Sequence, residues 1–375
     1  MRWSSAARLP TGLLLVLLLV GCAAPPRSAT GGATGGRLYV VDAGTGTLLR
    51  IDTRTGRPAG GPLPGGPAPR QVVAGPDGRV LILPSPTSRF EALNLVVPAG
   101  RGWATRPLRV EPGARAVAAS GGGDRYAALA YSTATGGGAP GCRLALLDLV
   151  TVAVVGTHRV CGPGESVRDV ALDAGPGGPV VYLALWGWPT RAPVGGASGR
   201  GRVVALAAET GAVLASYVTT WVPDRLLLGP ASGGGGRRAY CLEVAPPPPD
   251  DPASWRLIAP DAATLTRERT YPLHGPLLWP ALALDGEHLY ALGGAGGSAG
   301  RSVLALDLAV GTVARLLTLP GEGMGLAATA ETLFVLDPDR GRLWAVDRRR
   351  GRLLGATAVG RTPIALTLRP ARRAY

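Results

Sequence analysis

Arg37-LYVVDAGTGTLLRIDTRTGRPAGGPLPGGPAPRQVVAGPDGRVLIL-Pro84 is the stretch on which the fold turns. Its apolar runs are of strand length, and each stops at residues that favour tight turns. Val72–Gly75 meets Pro76-Asp77-Gly78, whose Asp and Gly tolerate the left-handed backbone of a hairpin, and a second strand follows at Val80–Leu83. Another strand ends in Asp52-Thr53-Arg54-Thr55-Gly56, where the carboxylate can accept backbone N–H groups while Gly takes a positive φ. The same acid-to-glycine turn recurs at Glu209-Thr210-Gly211, Asp307 to Gly311 and Asp347 to Gly351. These acids are read as structural.

Working outward, first strands of successive units start near Arg70, Arg115, Arg168, Arg225, Pro280, Met324 and Pro363, with spacings of 45, 53, 57, 55, 44 and 39. The last unit, Ile364 to Leu368, lacks its other three strands, and the first, from Leu38, lacks its innermost one. The two ends complement each other. The expectation is an all-β chain folded as a single seven-bladed β-propeller over residues 37–375, with blade 1 closed by the C-terminal strand plus three N-terminal strands.

The composition fits this once the turns are recognised. Gly 57 and Pro 35 would suggest low complexity in a chain of 375 residues, but here they punctuate hairpins, and 46% apolar residues suffice for a large core. The formal charge is +14, yet the chain holds no lysine, so its 39 basic residues are all arginine. That pattern reflects codon bias towards GC and weakens the case for a nucleic-acid partner. At the N-terminus, Arg2 and Arg8 precede an apolar run, Gly12–Val20, too short to span a hydrocarbon core of roughly 30 Å. Residues 1–21 read as a signal peptide, and Leu19-Val20-Gly21-Cys22 resembles the bacterial lipobox, which implies cleavage before Cys22 and lipidation of its thiol. Residues 22–36 are then a flexible Gly/Pro/Ala tether. The expected address is the cell envelope, lipid-anchored on the extracytoplasmic side of a membrane.

The unit with Leu38-Tyr39-Val40-Val41, Ile51-Asp52-Thr53-Arg54-Thr55-Gly56 and Val73-Ala74-Gly75-Pro76-Asp77-Gly78 resembles the YVTN-type β-propeller repeat. The resemblance is sharpest there and in Leu333 to Leu368, and looser between Gly136 and Pro280, where long inserts (Gly136–Gly141, Gly187–Gly201, Pro246–Pro252) fall between second and third strands. It implies a secreted or surface propeller and leaves activity open, because such folds host many functions. Inserts at one register lie on one face of the ring, often the binding face.

Cys142 opens a third strand and Cys161 closes the fourth, with their midpoint in the turn at Thr151 and Val152, so a Cys142–Cys161 disulfide is expected. Cys241 reads as a small buried residue. The three histidines have no metal-ligand spacing, and no nucleophile elbow, phosphate loop or dinucleotide fingerprint stands in its required context; no catalytic residue, metal or cofactor is assigned.

One column stands out. Arg70, Arg115, Arg168 and Arg225 each lie two residues before the first apolar position of an innermost strand, so a crescent of arginines at one mouth of the channel is expected to attract carboxylates or phosphates. The competing reading pairs them with Glu111, Glu165, Asp169 and Asp224. The leading functional expectation is a monomeric ligand- or protein-binding module, held at the membrane by its N-terminal lipid, that takes a protein, glycan or small anionic ligand and no nucleic acid. The alternative is a lactonase- or cyclase-like enzyme at the channel mouth, with Glu165 or Asp224 as general base.

Overall fold

In the computed structural model of the chain, the structure describes residues 36–85, 90–100, 102–122, 125–133, 141–162, 164–175, 177–187, 200–230, 237–245, 255–273, 282–284, 287–293 and 301–369. Within them the strands are antiparallel with their sequence neighbours and build sheets arranged as a propeller. Five sheets have four strands. One of these joins Pro363–Arg369, in innermost position, to Arg37–Asp42, Thr47–Asp52 and Leu63–Pro64, so the two ends of the chain share a sheet. The other four begin with the innermost strands Glu165–Gly175, Val222–Pro230, Leu282–Leu284 and Gly325–Ala328.

The expected seven blades are corrected to five four-stranded blades. The units starting at Arg70 and Arg115 do not form two separate blades but merge into one seven-stranded sheet, which runs from Pro69–Ala74 to Ala153–Arg159. The cause is a single strand of 21 residues, Gly102–Gly122, whose first half pairs with Phe90–Ala99 and whose second half pairs with Tyr126–Thr133. Pro112-Gly113 does not end this strand. In the structure, Phe90 faces Ala114 while Ala92 faces Arg109, so Val110–Gly113 bulge out of the ladder, with Gly113 at φ +74°, and the strand continues.

The core lies between sheets. Period-two alternation sends Leu38 and Val40 to one face of Arg37–Asp42, against Phe334 and Leu336, and Tyr39 and Val41 to the other, against Val72 and Ile82. Such a strand is buried on both faces and therefore reads as an unbroken apolar run. The innermost strands touch one another in succession around a closed ring.

The acid-to-glycine turns have the expected local chemistry. Asp52 Oδ1 accepts from the N–H groups of Arg54 and Thr55, both at 3.0 Å, and Asp307 and Asp347 repeat the arrangement. Gly56, Gly311 and Gly351 sit at positive φ. Asp148 and Asp261 cap in the same way, although Val152 and Leu265 occupy the left-handed position there. In the remaining turn Ala207 holds the capping position and Glu209 stands exposed near its tip.

Candidate functional site

A cavity of about 710 Å³ runs into the ring from the end at which the innermost strands start. Its wall shows a feature that sequence counting misses. Near its start, each of several innermost strands carries one residue that has no partner on the second strand. The ladder skips Arg70 between Pro69 and Gln71, Val117 between Ala116 and Ala118, Arg168 between Val167 and Asp169, and Asp224 between Pro223 and Arg225. The register against Arg37–Asp42 likewise skips Ile364. These are β-bulges, and a bulge re-aims the side chain it carries. All five skipped residues line the cavity.

The bulge column places the four expected arginines. Arg70 and Arg168 are themselves bulge residues and line the cavity, and Arg225, one position after a bulge, lines it too. Arg115 does not; it lies two residues before the bulge at Val117, exposed, in register with Ser132. The structure thus brings three of the four together. Aligning by first apolar residue put Arg115 two residues before its bulge and Arg225 one residue after its own.

Acids qualify the positive charge. Arg168 Nη2 lies 2.9 Å from Asp224 Oδ1, across two adjacent sheets. Glu165 is held by both prongs of Arg202, at 2.8 and 2.7 Å, and by the Gly162 N–H at 2.6 Å. Burial opposes its charge, but these hydrogen bonds outweigh burial and keep its carboxyl below the usual range. Such a fixed carboxylate is a poor general base at neutral pH. Glu111 pairs with Arg143 at 3.1 Å. Arg70 has no acidic partner among the described residues.

Asp169 behaves differently. Burial pushes its carboxyl up to about 6, against the opposing pull of Arg225 and of the Leu226 and Val170 N–H groups. It lines the cavity, and its Oδ2 accepts from Leu226 N–H at 2.8 Å, bridging two innermost strands that share no ladder. Gln71 makes the analogous bridge one step round the ring, donating from Nε2 to Ala119 O at 2.7 Å and accepting from Ala119 N–H at 3.1 Å. Ser120 Oγ accepts from Leu172 N–H at 3.1 Å between them.

The Asp169 shift carries a prediction. Its carboxyl titrates near 6 in the folded chain against 3.8 for an ordinary aspartate, so the folded state holds a proton that the unfolded state releases, and stability falls as pH rises from about 4 to 6. Asp169→Asn keeps the acceptor for Leu226 and removes that penalty. It should gain about 2 kcal/mol at pH 7.5 and nothing at pH 3.5, as read from urea midpoints; equal midpoints for variant and wild type at both pH values would refute it.

Cys142 and Cys161 are disulfide-bonded, with Cα atoms 5.2 Å apart. A structural disulfide of this kind persists in oxidising compartments. Cys241 is free and fully buried, and burial raises its thiol well above the ordinary range, which makes it unreactive. Cys22 and most of the three inserts lie outside the described residues. The bases of all three inserts do not: Thr133 pairs with Gly141, Gly187 with Arg200 and Val244 with Trp255, at the end of the ring where the arginines stand.

No family model and no curated protein matches the chain. Solved structures do. The chain is similar to the periplasmic gluconolactonase PpgL of Pseudomonas aeruginosa (14% identity, 90% of this chain and 99% of that one, TM-score 0.55). It is also similar to a putative 6-phosphogluconolactonase of Bacteroides fragilis (14% identity, 89% and 98%, TM-score 0.52) and to the hydrazine synthase of Kuenenia stuttgartiensis (13% identity, 87% and 93%, TM-score 0.56). At such identities the likeness shows one thing, that the chain has the β-propeller fold.

Proposed function

We propose that this chain is an extracytoplasmic propeller lipoprotein of the YVTN-repeat kind, anchored through Cys22, that binds a small anionic ligand at the arginine mouth of its channel. The observation that carries the reading is the placement of Arg70 and Arg168 on bulges that turn both side chains into one 710 Å³ cavity, with Arg225 beside them. Guanidinium groups grip carboxylate and phosphate oxygens in pairs, and a partly enclosed channel strengthens that attraction relative to open solvent. The insert bases at the same end give a bound ligand or protein a further surface to meet. The disulfide supports the extracytoplasmic address.

A thermal-shift screen with citrate, gluconate, inorganic phosphate and a sugar phosphate tests the reading. At a hundredfold excess over Kd, a ligand stabilises by about 2.7 kcal/mol, so at least one anion should raise the Tm of the wild type by several degrees and leave Arg70→Ala/Arg168→Ala unmoved. Equal shifts in both proteins would remove the arginines from the site.

A lactonase-like activity is the second reading, favoured by Asp169, a carboxyl titrating near neutrality in the same cavity as three arginines. Two of the similar solved structures are a gluconolactonase and a putative 6-phosphogluconolactonase. If it holds, hydrolysis of δ-gluconolactone should depend on pH with a limb near 6 that Asp169→Asn abolishes; hydrolysis no faster than buffer would reject it.

A further inference from the structure

The end of the ring opposite the arginine mouth has its own character. The described chain starts at Gly36, whose carbonyl accepts from Thr53 N–H at 3.2 Å and Thr53 Oγ1 at 2.9 Å. Thr53 belongs to the turn between the third and fourth strands of the closing sheet. Gly36 therefore lies at the end of the ring where all such turns lie. Nine of the eleven large apolar side chains that are exposed among the described residues also lie at this end, in those turns or in the first residues of the outer strands behind them. Val310 is 73% exposed at a turn tip, Val213 and Leu214 are 64% and 55% exposed behind Gly211, and Leu354 is 53% exposed behind Gly351. Four outer strands carry such residues, so this is a rim and not a single patch.

Charge is concentrated in one sector of this rim. Arg54 and Arg57 on the closing sheet, with Arg349, Arg350 and Arg352 on the neighbouring one, are all exposed and stand beside the start of the described chain. Asp347 is shared by Arg350 and Arg352 at 3.5 and 3.7 Å, so the sector stays basic. Between the two sheets runs a groove of about 340 Å³, lined by Arg54, Arg57, Leu354 and the hydroxyl-bearing Thr55 and Thr357.

We infer that this end of the ring seats on an anionic phospholipid bilayer, its apolar rim entering the headgroup boundary and the Arg54–Arg352 sector meeting lipid phosphates. Exposed aliphatic side chains flanked by arginines are what such a surface binds, and a second attachment of this kind fixes an orientation that a lipid chain alone does not. The inference rests on the lipid-anchored reading for the presence of a membrane at this end. Its consequence is that the arginine mouth and the insert bases face away from the bilayer, open to ligands and partners.

Sedimentation of the mature chain from residue 22 carrying Cys22→Ser, which lacks the lipid but keeps every described strand, tests the face by itself. Vesicles of phosphatidylglycerol and phosphatidylcholine in equal parts should bring it down, while pure phosphatidylcholine should not. Binding should fall at least tenfold in Val213→Ser/Leu214→Ser/Leu353→Ser/Leu354→Ser and again in high salt. Val218→Ser, exposed but away from the rim, should bind as the parent does, and circular dichroism should confirm that all variants are folded. Failure to bind phosphatidylglycerol vesicles, or self-association through the rim without them, overturns the inference. Metabolic labelling of Cys22 with a palmitate analogue decides the anchor separately, so loss of one reading is distinguishable from loss of the other.

Discussion

Replacing Asp42 by alanine is expected to cost about 3 to 4 kcal/mol of stability. Asp42 is fully buried at the point where the C-terminal strand joins the N-terminal ones. Its carboxylate accepts from Gly44 N–H at 3.1 Å, Thr45 Oγ1 at 2.6 Å, Arg361 N–H at 3.1 Å and Thr362 N–H at 2.8 Å. Three of these are backbone donors, two of them more than 300 positions away in sequence, and alanine leaves each without its acceptor. Gly360, at φ +133°, packs directly against the same carboxylate and leaves no room for a side chain of its own.

The titration of Asp42 supplies an independent check. Burial opposes ionisation, but the hydrogen bonds from Thr45, Thr362, Arg361 and Gly44 outweigh it and hold the carboxyl below the ordinary aspartate range. A depressed folded-state value means that this contribution is present above the unfolded value and is lost as pH falls through the folded one. Wild type should therefore lose stability in acid more steeply than Asp42→Asn, which keeps one acceptor oxygen. Urea midpoints for Asp42→Ala within the error of wild type would show that the closing sheet does not depend on this carboxylate.

The second large effect concerns the disulfide. Cys142→Ser/Cys161→Ser should cost about 3 kcal/mol, the loop-closure entropy for residues 19 apart in sequence. The bond ties the start of Gly141–Asp148 to the residue just beyond Ala153–Arg159, an outermost strand whose side chains are mostly solvent-exposed. Apolar burial does little to hold that strand. Both half-cystines pack with Val167 and Leu185 in one core, so serine also loses contact there. Reducing agent should lower the urea midpoint of the wild type towards that of the double variant without moving the variant itself. A wild type indifferent to reduction would contradict this.

What could be read from the sequence was whatever rests on local chemistry. The capped turns at Asp52, Asp307 and Asp347 follow from side chains that reach their own backbone two and three residues on, and the Cys142–Cys161 pairing follows from the symmetry of a hairpin about its turn. The union of the two chain ends in one sheet follows from two incomplete units that fit each other. The blade count failed because counting first-strand starts treats the units at Arg70 and Arg115 as separate, whereas Gly102–Gly122 pairs with both Phe90–Ala99 and Tyr126–Thr133 and so belongs to both. The arginine column failed in part for the same reason. A bulge is a mismatch between two strands, so nothing in the inner strand alone shows that Arg70 and Arg168 are turned into the channel while Arg115 stays outside it. Asp169 escaped notice as a titrating group because its burial is set by neighbouring sheets.

Titration calorimetry with gluconate, a carboxylate whose own charge is the same at pH 5.5 and 7.5, at low ionic strength and at those two pH values, tests the anion-binding channel most directly. Wild type should bind more tightly at the lower pH, where Asp169 is largely neutral, and the affinity should weaken as salt is added. In Arg70→Ala/Arg168→Ala it should fall at least tenfold at both pH values. An affinity in the double variant equal to that of the wild type, or a wild type that binds gluconate equally at both pH values and in high salt, would contradict the account.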